Sequence, residues 1–147
     1  MNNVEVKIYP DDVENIPFYA NPGDAGMDVR SIADVVIEPY QTKMVPTGLR
    51  VKIPDGYEIQ VRPRSGMSLK TPLRVSNAPG TVDSSYTGEI NVLLTNYGVT
   101  EQYIKRGDRI AQLVLCPVMK CVWELVFDEE SLGTTERGSG GFGSTGQ

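Results

Sequence analysis

The chain has 147 residues, enough for one domain with a single core, and 39% of them are hydrophobic while 22% are charged, as in soluble globular proteins. No apolar run is long enough to span a bilayer, and the net charge of -5 argues against a broad basic surface for nucleic acid. We therefore expect no membrane and no nucleic-acid partner, whereas a small charged metabolite remains compatible with this composition.

The first half of the chain shows the period-two alternation that is typical of half-buried β-strands. Its first ten residues, MNNVEVKIYP, lack the basic start and apolar stretch of a secretory signal, so we expect a cytoplasmic protein. The alternating apolar positions are Val4, Val6 and Ile8; Leu49, Val51 and Ile53; and Tyr57, Ile59 and Val61. The best candidate for a helix is Ser65–Lys70, which Thr71 and Pro72 end.

Further strands are predicted at residues 90–94, 110–118 and 122–127, because these runs are β-branched and apolar. Glycines and prolines separate the runs as turns. Many short strands with such turns predict an all-β sandwich or barrel with very little helix.

The composition changes at about residue 131, where SLGTTERGSGGFGSTGQ begins. This stretch is too rich in Gly, Ser and Thr to bury a core, so it predicts a flexible tail at 131–147 after a domain at 1–130. Arg137 and Phe142, alone among the glycines, keep a ligand-binding role open.

The chain contains no histidine, which excludes Ser-His-Asp and Cys-His hydrolases and a histidine-ligated zinc. Acid–base work is left to carboxylate, lysine or tyrosine, and charge stabilisation to arginine, backbone amides or an oxygen-bound Mg²⁺. The two cysteines, Cys116 and Cys121, lack CxxC spacing and are interpreted as reduced packing residues.

Two segments offer groups for a metal and for phosphates. Residues 24–30 (DAGMDVR) form a turn into a strand, in which Asp28 is either a metal-binding carboxylate or a plain turn acid. Residues 62–68 (RPRSGMS) combine arginine, hydroxyl and backbone amides, the groups that bind polyphosphate. A structural turn with solvated arginines explains the second segment equally well.

A third segment, residues 77–90 (NAPGTVDSSYTGEI), predicts a hairpin whose main-chain groups can pair with a base edge. Within it, Asp83 is a candidate general base, and the ring of Tyr86 is a candidate flat surface for packing against a ligand. The alternative is a turn aspartate and a packed tyrosine.

Two later segments complete the set. Residues 106–113 (RGDRIAQL) form a turn entering an apolar strand, in which Gln112 offers a donor and an acceptor, unless the strand is merely buried. In residues 136–146 (ERGSGGFGSTG) the glycines allow close approach to a ligand, and Phe142 suits stacking on a base.

In their order and spacing, the five segments resemble the five motifs of the trimeric dUTP pyrophosphatase (dUTPase) family and span residues 24–146. The resemblance implies a jelly-roll-like all-β barrel or sandwich, assembled as a homotrimer with a swapped C-terminal arm. One subunit would supply the first, second and fourth motifs, another the third, and the remaining one the closing tail. The implied reaction converts dUTP to dUMP and pyrophosphate, which limits uracil in DNA and supplies dUMP for dTMP synthesis.

By the same resemblance, Asp83 is the general base for a water that attacks the α-phosphorus, and Asp28 holds Mg²⁺ through water. Tyr86 would lie under deoxyribose and leave no room for a ribose 2′-hydroxyl. The expected substrate-binding residues are Arg64, Ser65, Gly66 and Gln112 for the phosphates; Asn77, Gly80, Thr81, Val82, Tyr86, Glu89 and Ile90 for deoxyuridine; and Arg137, Gly141, Phe142, Gly143, Ser144 and Thr145 from the arm.

Thr87 and Asn91 depart from the family pattern, in which many relatives carry basic residues, and we expect effects on surface charge and subunit contacts rather than on activity. One alternative is a dCTP deaminase of the same fold, whose pattern requires a glutamate base where this chain has Leu93. The other is a catalytically silent, dUTPase-like binding protein. A β-sandwich assembly protein would leave the five ordered motifs unexplained.

Overall fold

The computed structural model describes residues 3–146, in which there are ten β-strands, one short α-helix and two 3₁₀ turns. The strands are β1 Lys7–Pro10, β2 Met27–Arg30, β3 Val35–Ile37, β4 Thr42–Lys52, β5 Tyr57–Arg62, β6 Leu73–Val75, β7 Gly80–Val82, β8 Glu89–Asn96, β9 Gln102–Ile104 and β10 Arg109–Pro117. Helix α1 is Ser65–Lys70, and the 3₁₀ turns are Val13–Asn15 and Glu129–Leu132. Residues 1, 2 and 147, which belong to the expected 1–130 domain and 131–147 arm, lie outside the described part.

The strands form two four-stranded antiparallel sheets and a two-stranded ribbon. The first sheet has the order β1-β4-β8-β6, the second β2-β10-β5-β7, and the ribbon joins β3 to β9. One hydrophobic cluster draws buried side chains from all three, among them Leu49, Val61 and Ile37. The predicted all-β class is therefore confirmed.

The alternation in β4 and β5 reflects burial of one face. Leu49, Val51 and Ile53 are at most 5% exposed, and so are Ile59 and Val61 on β5. The predicted helix is confirmed at the same bounds, and it ends where the Thr71 N–H bonds back to the Met67 carbonyl. Across residues 3–146, no helix is long and apolar enough to cross a membrane.

The prediction for the N-terminal strand was partly wrong. Residues 4–6 are not in a strand, and β1 begins only at Lys7. Because β1 is an edge strand that pairs with β4 alone, Ile8 remains 37% exposed.

The strand predicted at residues 122–127 was wrong for the single chain. None of these residues is in a strand, and Val122, Trp123 and Phe127 are about nine-tenths exposed. A strand requires a hydrogen-bonding partner, and within residues 3–146 this segment pairs with none. Cys121 is likewise exposed rather than packed, while Cys116 is half-buried, and both thiols are free.

The hairpin predicted at residues 77–90 was also wrong. The two strands of this segment belong to different sheets: β7 pairs with β5, whereas β8 pairs with β4 and β6. Residues 83–88 between them make a turn that crosses from one sheet to the other. The connection therefore leaves an open groove between the sheets instead of a closed two-stranded ribbon.

Asn96 is a buried polar residue that fastens the end of β8. Its side chain is fully buried and donates from Nδ2 to the carbonyls of Ile37 and Thr100 at 2.9 and 2.8 Å. Its Oδ1 accepts from the Gly98 N–H at 2.8 Å. One buried amide thus hydrogen-bonds three backbone groups, and its own polar atoms are all satisfied.

Candidate functional site

A carboxylate and two guanidinium groups meet at the β2 edge of the second sheet. The Arg64 Nε donates to Asp28 Oδ1 at 2.7 Å, and an NH1 of Arg109 lies 3.4 Å from the other carboxylate oxygen. The Asp28 side chain is 36% exposed. Because partly exposed ion pairs contribute little to stability, the main consequence of these contacts is orientation.

Strand register brings Gln112 to the same place. Gln112 on β10 lies opposite Asp28 on β2 and opposite Arg62 on β5. Pro63 ends β5 because proline cannot extend the ladder, and its carbonyl accepts a 2.8 Å hydrogen bond from Gln112 Nε2. The first, second and fourth segments are therefore adjacent within one chain.

Gly26 is a residue that the sequence reasoning did not single out. A Cβ at this position would collide with the side-chain oxygen of Gln112. The glycine lets the turn before β2 pass directly over that amide. A glycine next to a strand often marks such a close approach, and this signal was available in the sequence.

Ser65 and Gly66 open helix α1, directly after Arg64. The first N–H groups of a helix have no partner inside it, so they remain available to acceptors. Arg64 and Gly66 border a cavity of about 380 Å³ that also has Lys70 and Arg109 in its wall. Three cationic side chains, with Asp108 as the one carboxylate in the wall, suit an anion that carries several oxygens.

A second, separate groove of about 250 Å³ lies between β7 and β8. Its wall contains every residue that the sequence suggested for deoxyuridine: Asn77, Gly80, Thr81, Val82, Tyr86, Glu89 and Ile90. Asn91 and Leu93 border it as well. The third segment thus forms a small groove with mixed polar and apolar walls.

Asp83 lies just beyond this groove, in the turn after β7. It is exposed, and its carbonyl accepts the Tyr86 N–H at 3.0 Å, which closes the turn. Among residues 3–146, no hydrogen bond or ion pair to the Asp83 carboxylate is present. Lys52, which the sequence reasoning missed, donates from Nζ to the Ser84 carbonyl at 2.9 Å and steadies the turn.

In one chain, the cluster of Asp28, Arg64 and Gln112 lies far from the second cluster, which is Asp83 with the groove between β7 and β8. Asp28 and Asp83 belong to opposite edges of the sheet β2-β10-β5-β7, so three strand spacings, about 14 Å, separate them sideways. Along β5, Asp28 is level with Arg62, whereas Asp83 is level with Glu58, a further offset of about 13 Å. A small ligand cannot contact both carboxylates of the same chain.

Residues 134–146 of the C-terminal segment form no hydrogen bond to either cluster. Within the described range, the hydrogen bonds of residues 134–146 stay inside that stretch, such as Arg137 Nε to the Gly140 carbonyl at 2.7 Å. The Phe142 ring is fully exposed. Gly141, Gly143, Ser144 and Thr145 lie in the same series of turns.

Two ionisable groups have pKa values that their neighbours displace. The Glu101 carboxylate accepts the Tyr103 hydroxyl at 2.6 Å, and this hydrogen bond and the negative charge raise the pKa of Tyr103. The Ser131 hydroxyl and N–H both donate to Asp128 and lower the pKa of that carboxyl. Tyr103 borders the cavity that contains Arg64 and Lys70, whereas Asp128 caps the 3₁₀ turn Glu129–Leu132.

No three Asp, Glu or Cys side chains converge into a metal-binding cluster anywhere in residues 3–146. Mg²⁺ commonly binds through one or two carboxylates together with waters and phosphate oxygens. Asp28 and Asp24 both border a further cavity of about 350 Å³, and the partly exposed carboxylate of Asp28 there fits that mode.

Fold and site together define a class: an all-β protein with one cavity lined by cationic side chains and a separate small groove with mixed polar and apolar walls. The dUTPase family model matches residues 13–146. The chain is 52% identical over 145 residues to the deoxyuridine 5'-triphosphate nucleotidohydrolase of Zymomonas mobilis, which covers 97% of each chain. The corresponding protein of Maricaulis maris is 46% identical and covers 99% of each. The chain belongs to the dUTPase family.

Solved structures give the same answer. A variant of the Staphylococcus bacteriophage 80alpha dUTPase, determined with dUpNHpp, has a TM-score of 0.87 at 27% identity and covers 97% of this chain and 99% of its own. A variant of the dUTPase from phage phi11 of S. aureus, described with a structural Mg(II) ion, has a TM-score of 0.78 at 25% identity and covers 86% and 99%.

Proposed function

We propose that this chain hydrolyses dUTP to dUMP and pyrophosphate as a cytoplasmic homotrimer whose active sites are shared between subunits. The observation that carries the proposal is the groove between β7 and β8, which collects the seven deoxyuridine-binding candidates of a dUTPase sequence in one wall. The relatives named as dUTP nucleotidohydrolases match nearly the whole chain.

Asp83 is the general base of the proposed reaction. Its exposed carboxylate takes a proton from a water, the water oxygen bonds to the α-phosphorus, and the bond from that phosphorus to the bridging oxygen of the β-phosphate breaks. Pyrophosphate leaves with the bridging oxygen. The contact between Lys52 and Ser84 keeps the turn that carries Asp83 in place.

The phosphates are held by the cationic cluster. Arg64, Gln112 and the first N–H groups of α1, at Ser65 and Gly66, supply donors to the triphosphate oxygens. Asp28 would hold Mg²⁺ through water, and the ion would offset negative charge on the phosphates. The ion pair with Arg64 presets the orientation of the Asp28 carboxylate.

Substrate selection lies in the groove. Main-chain groups of residues 77–90 read the uracil edge, so cytosine would leave buried donors and acceptors unpaired, a mismatch that discriminates by about 10⁴ or more. The ring of Tyr86 lies under the sugar and excludes a 2′-hydroxyl. Arg137, Phe142, Ser144 and Thr145, with the flanking Gly141 and Gly143, close the site from another subunit.

Two structural facts support the shared site. Asp28 and Asp83 of one chain are too far apart for one nucleotide, so a complete site needs a second subunit. The exposed apolar stretch at residues 118–127 also needs a partner surface, because Met119, Trp123 and Phe127 are about nine-tenths exposed. We divide the chain accordingly into a catalytic domain at 1–130 and an arm at 131–147.

A deaminase has less support. Leu93, at the position where a deaminase would carry its glutamate, borders the groove with an aliphatic side chain that transfers no protons. The test is incubation of the full-length protein with each dNTP and Mg²⁺, with nucleotides separated by anion exchange and pyrophosphate measured by a coupled assay. We expect dUMP and pyrophosphate from dUTP. Ammonia from dCTP would establish deamination, and intact dUTP with a trimeric protein would establish a silent binding protein.

A further inference from the structure

Gly88 lies directly against the ring of Tyr86. A Cβ built on Gly88 would be 2.6 Å from the Tyr86 hydroxyl oxygen, 2.7 Å from Cζ and 3.1 Å from Cε2. Non-bonded carbon atoms at optimal separation are about 3.5 to 4.0 Å apart, so no side chain fits there while the ring keeps its place. The tyrosine therefore occupies the space that a side chain at position 88 would need.

One hydrogen bond holds the ring in this position, and a second holds the backbone of Tyr86. The Tyr86 hydroxyl donates to the Glu89 carbonyl at 2.7 Å, and the Tyr86 N–H donates to the Asp83 carbonyl at 3.0 Å. The ring is thus folded back over Gly88, at the start of β8. Tyr86 also borders the groove proposed for the deoxyuridine.

The backbone at Gly88 does not itself require glycine. Gly88 is absent from the glycines with positive φ, which include Gly48 and Gly56, so an L-residue can adopt its conformation. The ring of Tyr86 is what excludes a side chain. A substitution should consequently displace the ring and leave the chain path unchanged.

We propose that Gly88 is a positioning residue for sugar selection: it provides the seat that holds the Tyr86 ring at the depth needed to exclude a ribose 2′-hydroxyl. This inference rests on the proposed function of the groove and on the role of Tyr86 in it. To exclude a hydroxyl by contact, the ring must be held in place to within a few tenths of an ångström. Neither the Tyr86 side chain nor its backbone provides that restraint alone. The Glu89 carbonyl and Gly88 together fix the ring.

The experiment compares kcat/KM for dUTP with kcat/KM for UTP in the wild-type protein and in Gly88→Ala. We expect the dUTP preference to fall by about tenfold or more, because a displaced ring loses its hydrogen bond to the Glu89 carbonyl and can then move aside for the hydroxyl. Gly23→Ala is the matched control, since Gly23 has nothing within 4 Å of its added Cβ and no positive φ. It should keep the wild-type preference.

A double-mutant cycle separates positioning from a general structural effect. If Gly88 acts only through the ring, adding Gly88→Ala to Tyr86→Ala should change the preference no further. An equal loss in both backgrounds, or an unchanged preference in folded Gly88→Ala, would overturn the inference. If Gly88→Ala does not fold, Tyr86→Phe tests the fixed position of the ring, because it removes only the hydrogen bond from the ring to the Glu89 carbonyl. An unchanged preference in Tyr86→Phe would then overturn the inference.

The controls also separate this inference from the proposed function. A wild-type protein that leaves dUTP intact contradicts the proposed function itself. A wild-type protein that hydrolyses dUTP and rejects UTP, together with a Gly88→Ala protein that does the same, contradicts only the role of Gly88.

Discussion

Replacing Asp83 by asparagine tests the proposed base with little change in shape. Asparagine has the size of aspartate and keeps one oxygen, but it accepts no proton from water at neutral pH. Asp83 is exposed, and only its backbone takes part in the turn with Tyr86. The substitution should therefore change the free energy of unfolding by no more than about 0.5 kcal/mol.

The expected loss of rate follows from the chemistry. A positioned general base contributes about 10² to 10⁴ in rate, which corresponds to about 3 to 5 kcal/mol of activation free energy. The phosphate donors, Arg64 and Gln112, lie in the other cluster and are untouched. We thus expect kcat to fall by about three orders of magnitude while KM for dUTP stays within a few-fold.

The assay is steady-state pyrophosphate release with saturating dUTP and Mg²⁺, accompanied by thermal unfolding of each variant. Asp55→Asn is the matched control, since Asp55 is an exposed turn aspartate between β4 and β5 and borders neither the cationic cavity nor the groove. It should turn over dUTP at the wild-type rate. A folded Asp83→Asn protein with an unchanged kcat would refute the assignment of the base.

Two further predictions concern the arm and the core. Removing residues 131–147 should reduce turnover by at least about 10², because the proposed contribution of the arm is orientation of the triphosphate. The melting temperature should not change, because residues 134–146 form hydrogen bonds only among themselves. Full activity of the truncated protein would exclude a closing arm. Asn96→Leu should lower the free energy of unfolding by about 3 kcal/mol, because the buried Asn96 side chain loses three hydrogen bonds to backbone groups, each worth about 1 kcal/mol. Urea denaturation at fixed protein concentration measures this loss, Asn91→Ala with its single 3.3 Å bond is the control, and equal midpoints for both variants would contradict it.

Local sequence patterns identified β4, β5 and α1 correctly, and the chain itself supplies the partner strands of β4 and β5. The alternation in β4 and β5 identified their buried faces correctly, and Pro72 marked the end of α1. The prediction at residues 122–127 was wrong because a run of apolar residues records only that burial is needed. It does not say which molecule provides the burying surface.

The site was less accessible to sequence reasoning than the fold. The motif order identified the groove residues between Asn77 and Ile90, but not that β7 and β8 enter different sheets. Lys52 could not be found from the sequence, since its contact with Ser84 joins residues 32 positions apart. Gly26 and Gly88 were visible as glycines, yet only the position of Gln112 and Tyr86 explains why no side chain is tolerated there.

Mixing two inactive variants tests whether the sites are shared. Asp83→Asn lacks the base, and Arg64→Ala lacks a phosphate donor and the 2.7 Å contact to Asp28. In one chain these residues belong to clusters that a nucleotide cannot bridge, so a working site takes Arg64 from one subunit and Asp83 from another. After dissociation and random reassembly of an equal mixture, about a quarter of the sites regain both native residues. We expect about a quarter of the wild-type specific activity from two preparations that are inactive alone. If every site came from one chain, each would still lack one group, and the mixture would remain inactive however completely the subunits exchanged.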